Sequence, residues 1–482
     1  MINFRLIFFI IGILLATLAI TMLIPTAVDL IEGHADWKAF FSAATITLFV
    51  GGALILSAWT GERRFRVREA FALTTLSWII VAAFGALPFV FSGLKLHYAD
   101  AYFETMSGLT TTGSTVITGL DELPPGILLW RGLLQGLGGI GIIAMAIAIL
   151  PMLRIGGMQL FLVESSDKSE KVMPRAAQIA GGILAVYLTL AALCALAFWL
   201  LGMSGLEAIV HSMAALSTGG FSTSDQSFAR FDSPAIEAVA VLFMLLGGMT
   251  FTLFLRVREG DLKALATDSQ TRVYLVIAAV FSLGLALWHW LVNGASPLQA
   301  LRHSVFNVVS IMTTTGFVST DYSTWGPLPV VAIFILTFIG GCSGSTAGAI
   351  KVFRFQVLAA IAHAQIRHTL SPSGVFVPKF NRRRITEGVM QSVLTFFFLY
   401  IMTFSALSVG LGLTGLDLVT ATSGAATALG NVGPGLGPVI GPVGHFGTLP
   451  DAAKWLLSLG MLLGRLELLT VLVMLAPAFW RT

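Results

Sequence analysis

Residues 110–116 read TTTGSTV, a run of three threonines and a glycine that is followed by two further hydroxyl side chains. The surrounding chain is strongly apolar: 56% of its 482 residues are hydrophobic, 11% are charged, and the mean hydropathy is +0.88. Because about 20 consecutive apolar residues cross a bilayer, this composition predicts an all-α polytopic membrane protein. A polar, glycine-containing run inside such a chain therefore needs a physical reason.

Ten apolar stretches are candidate membrane helices. The first is too long for a cleaved signal peptide and no small-residue cleavage site follows it, so a retained helix is expected. The stretches are Leu6–Ala27, Ala39–Ala58, Phe71–Phe91, Ile127–Leu153, Ile179–Leu201, Ile236–Leu255, Val273–Leu291, Val330–Ile339, Val389–Leu411 and Trp455–Phe479.

Basic side chains cluster in four loops, although the net charge is only +4. The positive-inside rule places such loops in the cytoplasm. Binding of nucleic acid is the alternative, but topology accounts for the clusters without that partner. The two cysteines, Cys194 and Cys342, form neither a disulfide framework nor a metal motif. The basic clusters lie at 63–68, 168–175, 256–272 and 379–384.

The threonine–glycine run recurs at intervals of about 100 residues, which indicates four internal repeats. When the copies are aligned on a shared glycine, a polar residue lies thirteen positions before that glycine in each copy. The further copies are STGGF at 217–221, TTTGF at 313–317 and the fainter TALGN at 427–431; the glycines are Gly113, Gly220, Gly316 and Gly430, and the polar residues are Asp100, Glu207, His303 and Asp417.

Each repeat reads as a long apolar helix, a semi-polar segment of about a dozen residues, a polar extended stretch and a second apolar helix. The semi-polar segment is too short to cross a bilayer, so a re-entrant half-helix is predicted, with Asp100 and Asp417 suited to cap two of them. Backbone that is not helical survives at membrane depth only inside protein or beside water. Four such loops are expected to meet at one axis, where carbonyl oxygens replace the hydration shell of a cation. Ordinary small-residue helix contacts are the alternative, but they do not explain the short segments.

The segments TTTGSTV, STGGFST, TTTGFVSTDY and ALGNVGPGLGPV resemble the four filters of the Trk/Ktr/HKT superfamily of potassium transporters, and bacterial TrkH-type subunits in particular. The resemblance implies four helix–pore-helix–filter–helix repeats around one central pore, plus two extra N-terminal transmembrane helices. Glycine at position 113 implies selectivity for potassium. The fourth copy departs from TTTG, so ion contact from backbone alone is expected there. The implied ion-binding residues are Thr111, Thr112, Gly113, Thr218, Gly219, Gly220, Thr314, Thr315, Gly316, Leu429, Gly430 and Asn431.

The repeats divide the chain into five parts. They are the N-terminal helix pair at 1–66, repeat 1 at 67–175, repeat 2 at 176–268, repeat 3 at 269–384 with an intramembrane loop at 340–350, and repeat 4 at 385–482.

The intramembrane loop belongs to the stretch GGCSGSTAGAIK at 340–351, which interrupts the second helix of repeat 3. Four glycines with Ser and Thr favour a broken helix, which is tolerable at mid-membrane only beside a cavity. A kink that only improves packing is the alternative. The resemblance favours a gate, because in TrkH-like subunits this loop plugs the pore below the filter. The gate residues are Gly340, Gly341, Ser343, Gly344, Ser345, Thr346, Gly348, Lys351 and Arg465.

Arg465 lies well inside the last apolar stretch, where an arginine costs about 2.5–3.5 kcal/mol on insertion scales. Loop carbonyls at 340–350 are expected partners for its donors, and the resemblance carries the same contact onto this residue. A carboxylate on a neighbouring helix is the alternative; Glu467, two positions away, faces elsewhere. Lys351 would either line the gate or anchor its helix at the cytoplasmic interface.

Polar residues also recur nine positions before the aligned glycines. Glu104, His211 and Asn307 occupy this place, with Ala421 in the fourth repeat. Acidic groups near a pore mouth would concentrate cations; a packing role is the alternative.

The GxGxxG match at 136–141 lies inside an apolar helix rather than a βαβ unit, so no dinucleotide is expected there.

The predicted function is a potassium-conducting subunit in the bacterial inner membrane. Since the sequence has no ATP motif, the membrane potential, worth ~2.3 kcal/mol per charge per 100 mV, would supply the energy. The resemblance implies a homodimer, embedded in lipid, with a cytosolic nucleotide-binding subunit of the TrkA type docking near 365–384. Potassium is the only ligand expected, without an organic cofactor. A cation-coupled secondary transporter and a membrane-embedded hydrolase are the alternatives, although chemistry needs one site rather than four similar loops.

Overall fold

The computed structural model describes residues 2–59, 66–148, 172–381 and 383–480, so several basic residues of the predicted cytoplasmic clusters, such as Arg63 and Lys168, and the end of the fourth predicted span lie outside the described residues. Within those ranges the chain is mainly helical, with connecting loops, short 3-10 turns and one two-stranded hairpin. The helices are Phe4–Glu32, Trp37–Ser57, Val67–Gly85, Leu87–Phe91, Tyr98–Leu109, Pro125–Ala148, Val172–Leu200, Gly205–Leu216, Pro234–Gly247, Phe251–Arg258, Ala264–Thr267, Ser269–Asn293, Pro297–Met312, Pro327–Leu336, Val352–Leu370, Glu387–Leu413, Leu418–Gly430, Gly437–Ile440, Asp451–Arg465, Leu469–Leu475 and Pro477–Trp480; the strands are Lys379–Phe380 and Arg383–Arg384.

Seven described helices are long and apolar enough to cross a membrane, or up to nine if each of two bent helix pairs counts as one span. The first two form an antiparallel pair. Gly12 and Gly51 let their backbones approach closely, since a Cβ at Gly12 would lie 2.8 Å from the carbonyl oxygen of Gly51. Glycine at this crossing is therefore a packing requirement.

Two spans that the sequence predicts as continuous are broken in the structure. The stretch Ile236–Leu255 bends by 97° after Gly247, and Trp455–Phe479 bends by 116° after Arg465. At the first break the carbonyls of Gly247 and Gly248 accept hydrogen bonds from the intramembrane loop instead of continuing the helix. At the second, Glu467 has a φ of 60°, a left-handed conformation that ends a helix. The prediction of two unbroken helices is wrong: tertiary hydrogen bonds replace helical ones at the first break, and the left-handed turn at Glu467 interrupts the helix at the second.

Four short helices lie where the sequence predicts the half-helices, and we call them pore helices 1 to 4. Asp417 caps the fourth as predicted, because its carboxylate accepts from the amides of Val419 and Thr420. Asp100 does not cap the first: that helix begins one turn nearer the N-terminus, and Asp100 pairs with Lys454. The pore helices are Tyr98–Leu109, Gly205–Leu216, Pro297–Met312 and Leu418–Gly430.

Candidate filter and intramembrane loop

The four pore helices end in one shared backbone conformation. In each repeat a left-handed residue follows the helix, and a glycine with positive φ comes two positions later. The amide of the residue between them donates back to the carbonyl five positions earlier. The left-handed residues are Thr111, Thr218, Thr314 and Asn431; the glycines are Gly113, Gly220, Gly316 and Gly433; the amide bonds run from Thr112 to Ser107, Gly219 to Ala214, Thr315 to Ser310 and Val432 to Thr427, at 2.8, 2.8, 2.9 and 3.1 Å.

This geometry corrects the register of the fourth repeat. Alignment on Gly430 is wrong by three residues, because pore helix 4 runs through Gly430 before the chain turns at Asn431. The residue equivalent to Gly113 is Gly433, with a φ of 105°. The candidate filter segment of this repeat is therefore 431–433 instead of Leu429, Gly430 and Asn431. The spacing of thirteen residues from Asp417 to Gly430 was a coincidence of the wrong register.

The four glycines close a ring. A Cβ at Gly113 would overlap the carbonyl oxygen of Gly219, and the same relation links repeat 2 to repeat 3 and repeat 3 to repeat 4. The ring closes at Gly433, where a Cβ would lie 2.9 Å from the carbonyl oxygen of Thr112. Each filter glycine thus packs on the residue before the next filter glycine, so there is room only for backbone. The remaining pairs are Gly220 with Thr315 and Gly316 with Val432.

The side chains that support the ring differ between repeats. The hydroxyls of Thr110 and Thr112 are hydrogen-bonded at 2.8 Å, and the equivalent pair in repeat 3 at 2.7 Å. Repeat 2 has glycine at position 219, and Gln135 fills the space: its amide accepts from Phe221 at 3.1 Å and donates to the Gly219 carbonyl. In repeat 4, Asn431 donates to the hydroxyl of Thr112 at 2.9 Å. Gln135 and Asn431 therefore fix the less regular filter segments.

Glu104 lies behind the filter rather than at an open mouth. Its side chain is 0% exposed and pairs with Arg131 at 2.9 Å, and it accepts from the amide of Val116 at 2.9 Å. His211 and Asn307 hold the polar segment that follows the filter in their own repeats in the same way. His211 bonds to the hydroxyl of Ser222 at 3.0 Å, and Asn307 to that of Ser319 at 3.1 Å. The contacts support the packing role for Glu104. In the corrected register the fourth member of this series is Gly424 rather than Ala421.

Replacing Glu104 with glutamine is expected to lower the free energy of unfolding by about 3–5 kcal/mol, because Arg131 would be left as an uncompensated buried charge. The measurement is the thermal unfolding midpoint of the purified protein in detergent. Asp121→Asn is the matched control: Asp121 pairs with Arg230 at the surface, both side chains more than 40% exposed, so a change within about 1 kcal/mol is expected. Equal losses in the two variants would contradict the buried role of Glu104.

The intramembrane loop lies directly against the C-terminal ends of three pore helices. The amide of Gly348 donates to the hydroxyl of Thr314 at 2.7 Å, and that of Ala349 donates to the carbonyl of Gly430 at 2.8 Å. The hydroxyl of Thr346 donates to the carbonyl of Leu216 at 3.0 Å. These carbonyls have no helical partner of their own. The loop thus crosses the base of the ring, on the side where the pore helices end and away from the polar segments that follow the filter.

The other end of the loop is held by the break in the second span of repeat 2. The backbone amide of Cys342 donates to the Gly248 carbonyl at 2.8 Å, and the carbonyl of Gly344 accepts from the amide of Phe251 at 3.1 Å. Thr250 donates to the carbonyl of Ser343 at 2.8 Å. The remaining predicted loop residues follow the same path: Gly340 pairs with Ile350, a Cβ at Gly341 would approach the Gly248 carbonyl at 2.6 Å, and Ser345 donates to the carbonyl of Cys342 at 2.6 Å.

Arg465 contacts the loop as the sequence predicts. Its guanidinium donates to the Thr346 carbonyl at 2.7 Å, and the side chain is only 3% exposed. It lies at the end of its helix, immediately before the 116° bend, rather than in mid-helix. Glu467 is not its partner and pairs instead with Arg354 of the helix that follows the loop. Lys351 turns back to the carbonyl of Ala347, inside the loop.

Sequence reasoning missed three groups that this geometry brings together. Gly433 is the second glycine of the motif GNVGPG and could have been found from the asparagine before it. Asn tolerates a left-handed turn better than most residues other than glycine, and the filter glycine follows that turn by two positions. Gln135 carries no local signal. The pair formed by Arg354 and Glu467 joins residues more than a hundred positions apart, so no sequence period indicates it.

Four helices too short to span a bilayer, ending on one closed ring of backbone, define a polytopic membrane protein of the pore-loop type. The sequence profile of the TrkH family, described as cation transport protein, matches residues 36–482, and the chain belongs to this family. Membership confirms the predicted resemblance, a transport protein rather than an enzyme, and a multi-pass membrane location; the solved relative described next confirms the fold class.

The relatives are similar over nearly their whole length. The Trk system potassium uptake protein TrkI of Halomonas elongata is 46% identical over 98% of this chain and 96% of its own. TrkH of Escherichia coli K12, also called a Trk system potassium uptake protein, is 37% identical over 99% of this chain and 100% of its own. The crystal structure of the potassium transporter TrkH from Vibrio parahaemolyticus superposes with a TM-score of 0.92 at 37% identity, covering 99% of this chain and 100% of that one.

Proposed function

We propose that this chain is the potassium-conducting subunit of a bacterial potassium uptake system. The single observation that carries the proposal is the closed ring in which each filter glycine packs on the backbone of the next repeat. In such a ring, carbonyl oxygens of four segments can face one axis and replace the hydration shell of a monovalent cation. The names of the relatives, which are potassium uptake proteins, support potassium as that cation.

The electrostatics of the ring favour a cation. Four pore helices end at the filter, and a helix C-terminus carries a partial negative charge of about −0.5. The threonine and asparagine side chains next to the ring bond to one another or to backbone rather than presenting a charge to the axis. Ion contact is accordingly assigned to the backbone of 111–113, 218–220, 314–316 and 431–433.

We infer that the intramembrane loop is the gate. It bonds to the ends of three pore helices, and Arg465 ties its middle to the break in the last span. Opening requires the loop to leave the base of the filter, so the contacts of Thr346, Gly348 and Ala349 must break together. Glycines at 340, 341, 344 and 348 give the loop backbone freedom for that movement.

Assembly with other chains is part of the proposal. A homodimer and a cytosolic nucleotide-binding subunit of the TrkA type would complete the system, in keeping with the system names of the relatives. The hairpin Lys379–Phe380 and Arg383–Arg384 is a docking candidate, because it follows the basic end of Val352–Leu370 and exposes charged side chains. Arg382 lies outside the described residues.

Permeation through the purified chain in lipid vesicles tests the proposal. With an imposed potassium gradient and no other ion gradient, rubidium and potassium uptake is expected to exceed sodium uptake and to reverse when the membrane potential is reversed. Uptake that requires a sodium or proton gradient would favour the coupled transporter instead. Equal permeation of sodium and potassium would contradict the selective filter.

A further inference from the structure

A cavity of about 40 Å³ lies under the intramembrane loop, on the side away from the filter. Its walls come from the loop itself, from the start of Val352–Leu370 and from the bend after Arg465. Three cationic side chains line it, Lys351, Arg354 and Arg465, with Glu467 as the one carboxylate among the lining residues. The side chains that enclose the cavity therefore carry a formal charge of +2.

Several donors at this cavity have no partner. Arg465 uses one nitrogen on the Thr346 carbonyl, and its Nε and second terminal nitrogen bond to no protein atom. Arg354 pairs with Glu467 and packs 3.7 Å from the Phe396 ring, but its Nε is also without a partner. Both side chains are at most 3% exposed. A buried donor of a charged group that stays unsatisfied costs more than a neutral one.

The backbone adds to the positive potential. The helix Val352–Leu370 has 19 residues and begins at this cavity, immediately after Lys351. Its N-terminus contributes a partial charge of about +0.5. Water could satisfy the free donors, since a cavity needs only about 10–15 Å³ to hold one water molecule, but water would leave the excess charge uncompensated.

We propose that this cavity is a binding site for a small monovalent anion of the size of chloride. The anion accepts hydrogen bonds from Arg465 and Arg354 and lies beside Lys351. It thereby links the loop, the helix after the loop and the bend in the last span, which are the three elements that must separate when the loop moves. Anion binding stabilises the closed arrangement. This regulatory consequence rests on the proposed function, whereas the binding site itself does not.

Bromide, which scatters X-rays anomalously, tests the site directly. Crystals of the full-length protein grown with bromide in place of chloride are expected to show an anomalous peak between Arg354 and Arg465. A cavity that contains only water at high bromide concentration would overturn the proposal. This measurement does not depend on whether the protein conducts potassium, so failure of the site and failure of the proposed function can be told apart.

Two variants test the chemistry in opposite directions. Glu467→Gln removes the carboxylate and is expected to strengthen bromide binding roughly tenfold, and Arg354→Met is expected to weaken it roughly tenfold, as befits one charge-assisted hydrogen bond. The gain in the first variant cannot arise from misfolding. Asp121→Asn removes a surface carboxylate elsewhere and is expected to leave bromide binding unchanged. Binding that is the same in Glu467→Gln and the parent protein would overturn the proposal.

The regulatory consequence is measured in vesicles. When chloride on the side of the basic loops is replaced by gluconate, which is too large for the cavity, rubidium flux is expected to rise severalfold. The rise is expected to be smaller in Arg354→Met, which binds the anion weakly from the start. Flux that is the same in chloride and gluconate, with bromide present in the crystal, would overturn the stabilisation of the closed arrangement and leave only the binding site.

Discussion

Replacing Arg465 with alanine is expected to raise potassium flux through the purified subunit by about ten- to a hundredfold. The guanidinium of Arg465 ties the middle of the intramembrane loop, through the Thr346 carbonyl, to the end of the last pore-lining helix. A hydrogen bond from a charged donor contributes about 1.5–3 kcal/mol. If the bond exists only in the closed arrangement, its loss shifts the closed-to-open equilibrium by the same free energy, and each 1.4 kcal/mol is about tenfold.

Two control variants sharpen this prediction. Arg465→Lys keeps the charge and one donor, so its flux is expected to lie between those of the parent and the alanine variant. Arg256→Ala removes an arginine that pairs with Asp261 and is 54% exposed; its flux is expected to match the parent. The measurement is rubidium uptake into vesicles at equal protein density. Unchanged or lower flux in Arg465→Ala, for protein that elutes as a single folded species, would exclude the loop as a barrier.

Much of this fold was predictable, because its main signal is physical and local. Apolar stretches long enough to cross a bilayer fix the spans, and a glycine with a threonine two positions before it marks the left-handed turn of the first three filter segments. The broken helix at 340–350 was predictable for the same reason, since four glycines and no compensating apolar face cannot continue a span. Arg465 needed a polar partner at membrane depth, and the carbonyls of the loop at 340–350 were the partners expected for it.

Two of the three features that the sequence did not reveal depend on contacts between distant segments. Ala428, Leu429 and Gly430 look like a filter copy in the sequence, yet they belong to pore helix 4. The helix ends only at Asn431, which adopts the left-handed conformation. The bend after Gly247 occurs because the loop takes over its carbonyl. The position of Glu104 in the sequence is typical of a pore mouth, but its charge is neutralised by Arg131, which lies 27 residues later in the chain. For the bend after Gly247 and for Glu104 a partner distant in sequence decides the outcome, whereas the turn at Asn431 is local.

Substituting serine for Gly316 is expected to lower the discrimination between potassium and sodium about tenfold while the protein remains folded. A side chain at this position would overlap the Val432 carbonyl oxygen and lie 2.9 Å from Cδ of Pro434, and φ is +82°. A residue other than glycine in such a conformation costs about 1–3 kcal/mol, and the overlap moves the neighbouring carbonyl as well. If that movement costs bound potassium about 1.4 kcal/mol relative to sodium, the selectivity ratio falls about tenfold.

Gly119→Ser separates backbone strain from intrusion into the ring. Gly119 also has a positive φ, +72°, but nothing lies within 4 Å of its added Cβ, so a small loss of stability with intact selectivity is expected. Gly433→Ser tests the corrected register, because its added Cβ approaches the Thr112 carbonyl at 2.9 Å and should lower selectivity as Gly316→Ser does. The readout is the ratio of rubidium to sodium permeation in vesicles. If Gly316→Ser and Gly433→Ser kept the parent ratio, carbonyls at these positions would not be selecting the ion, and the four segments would serve only to hold the helices together.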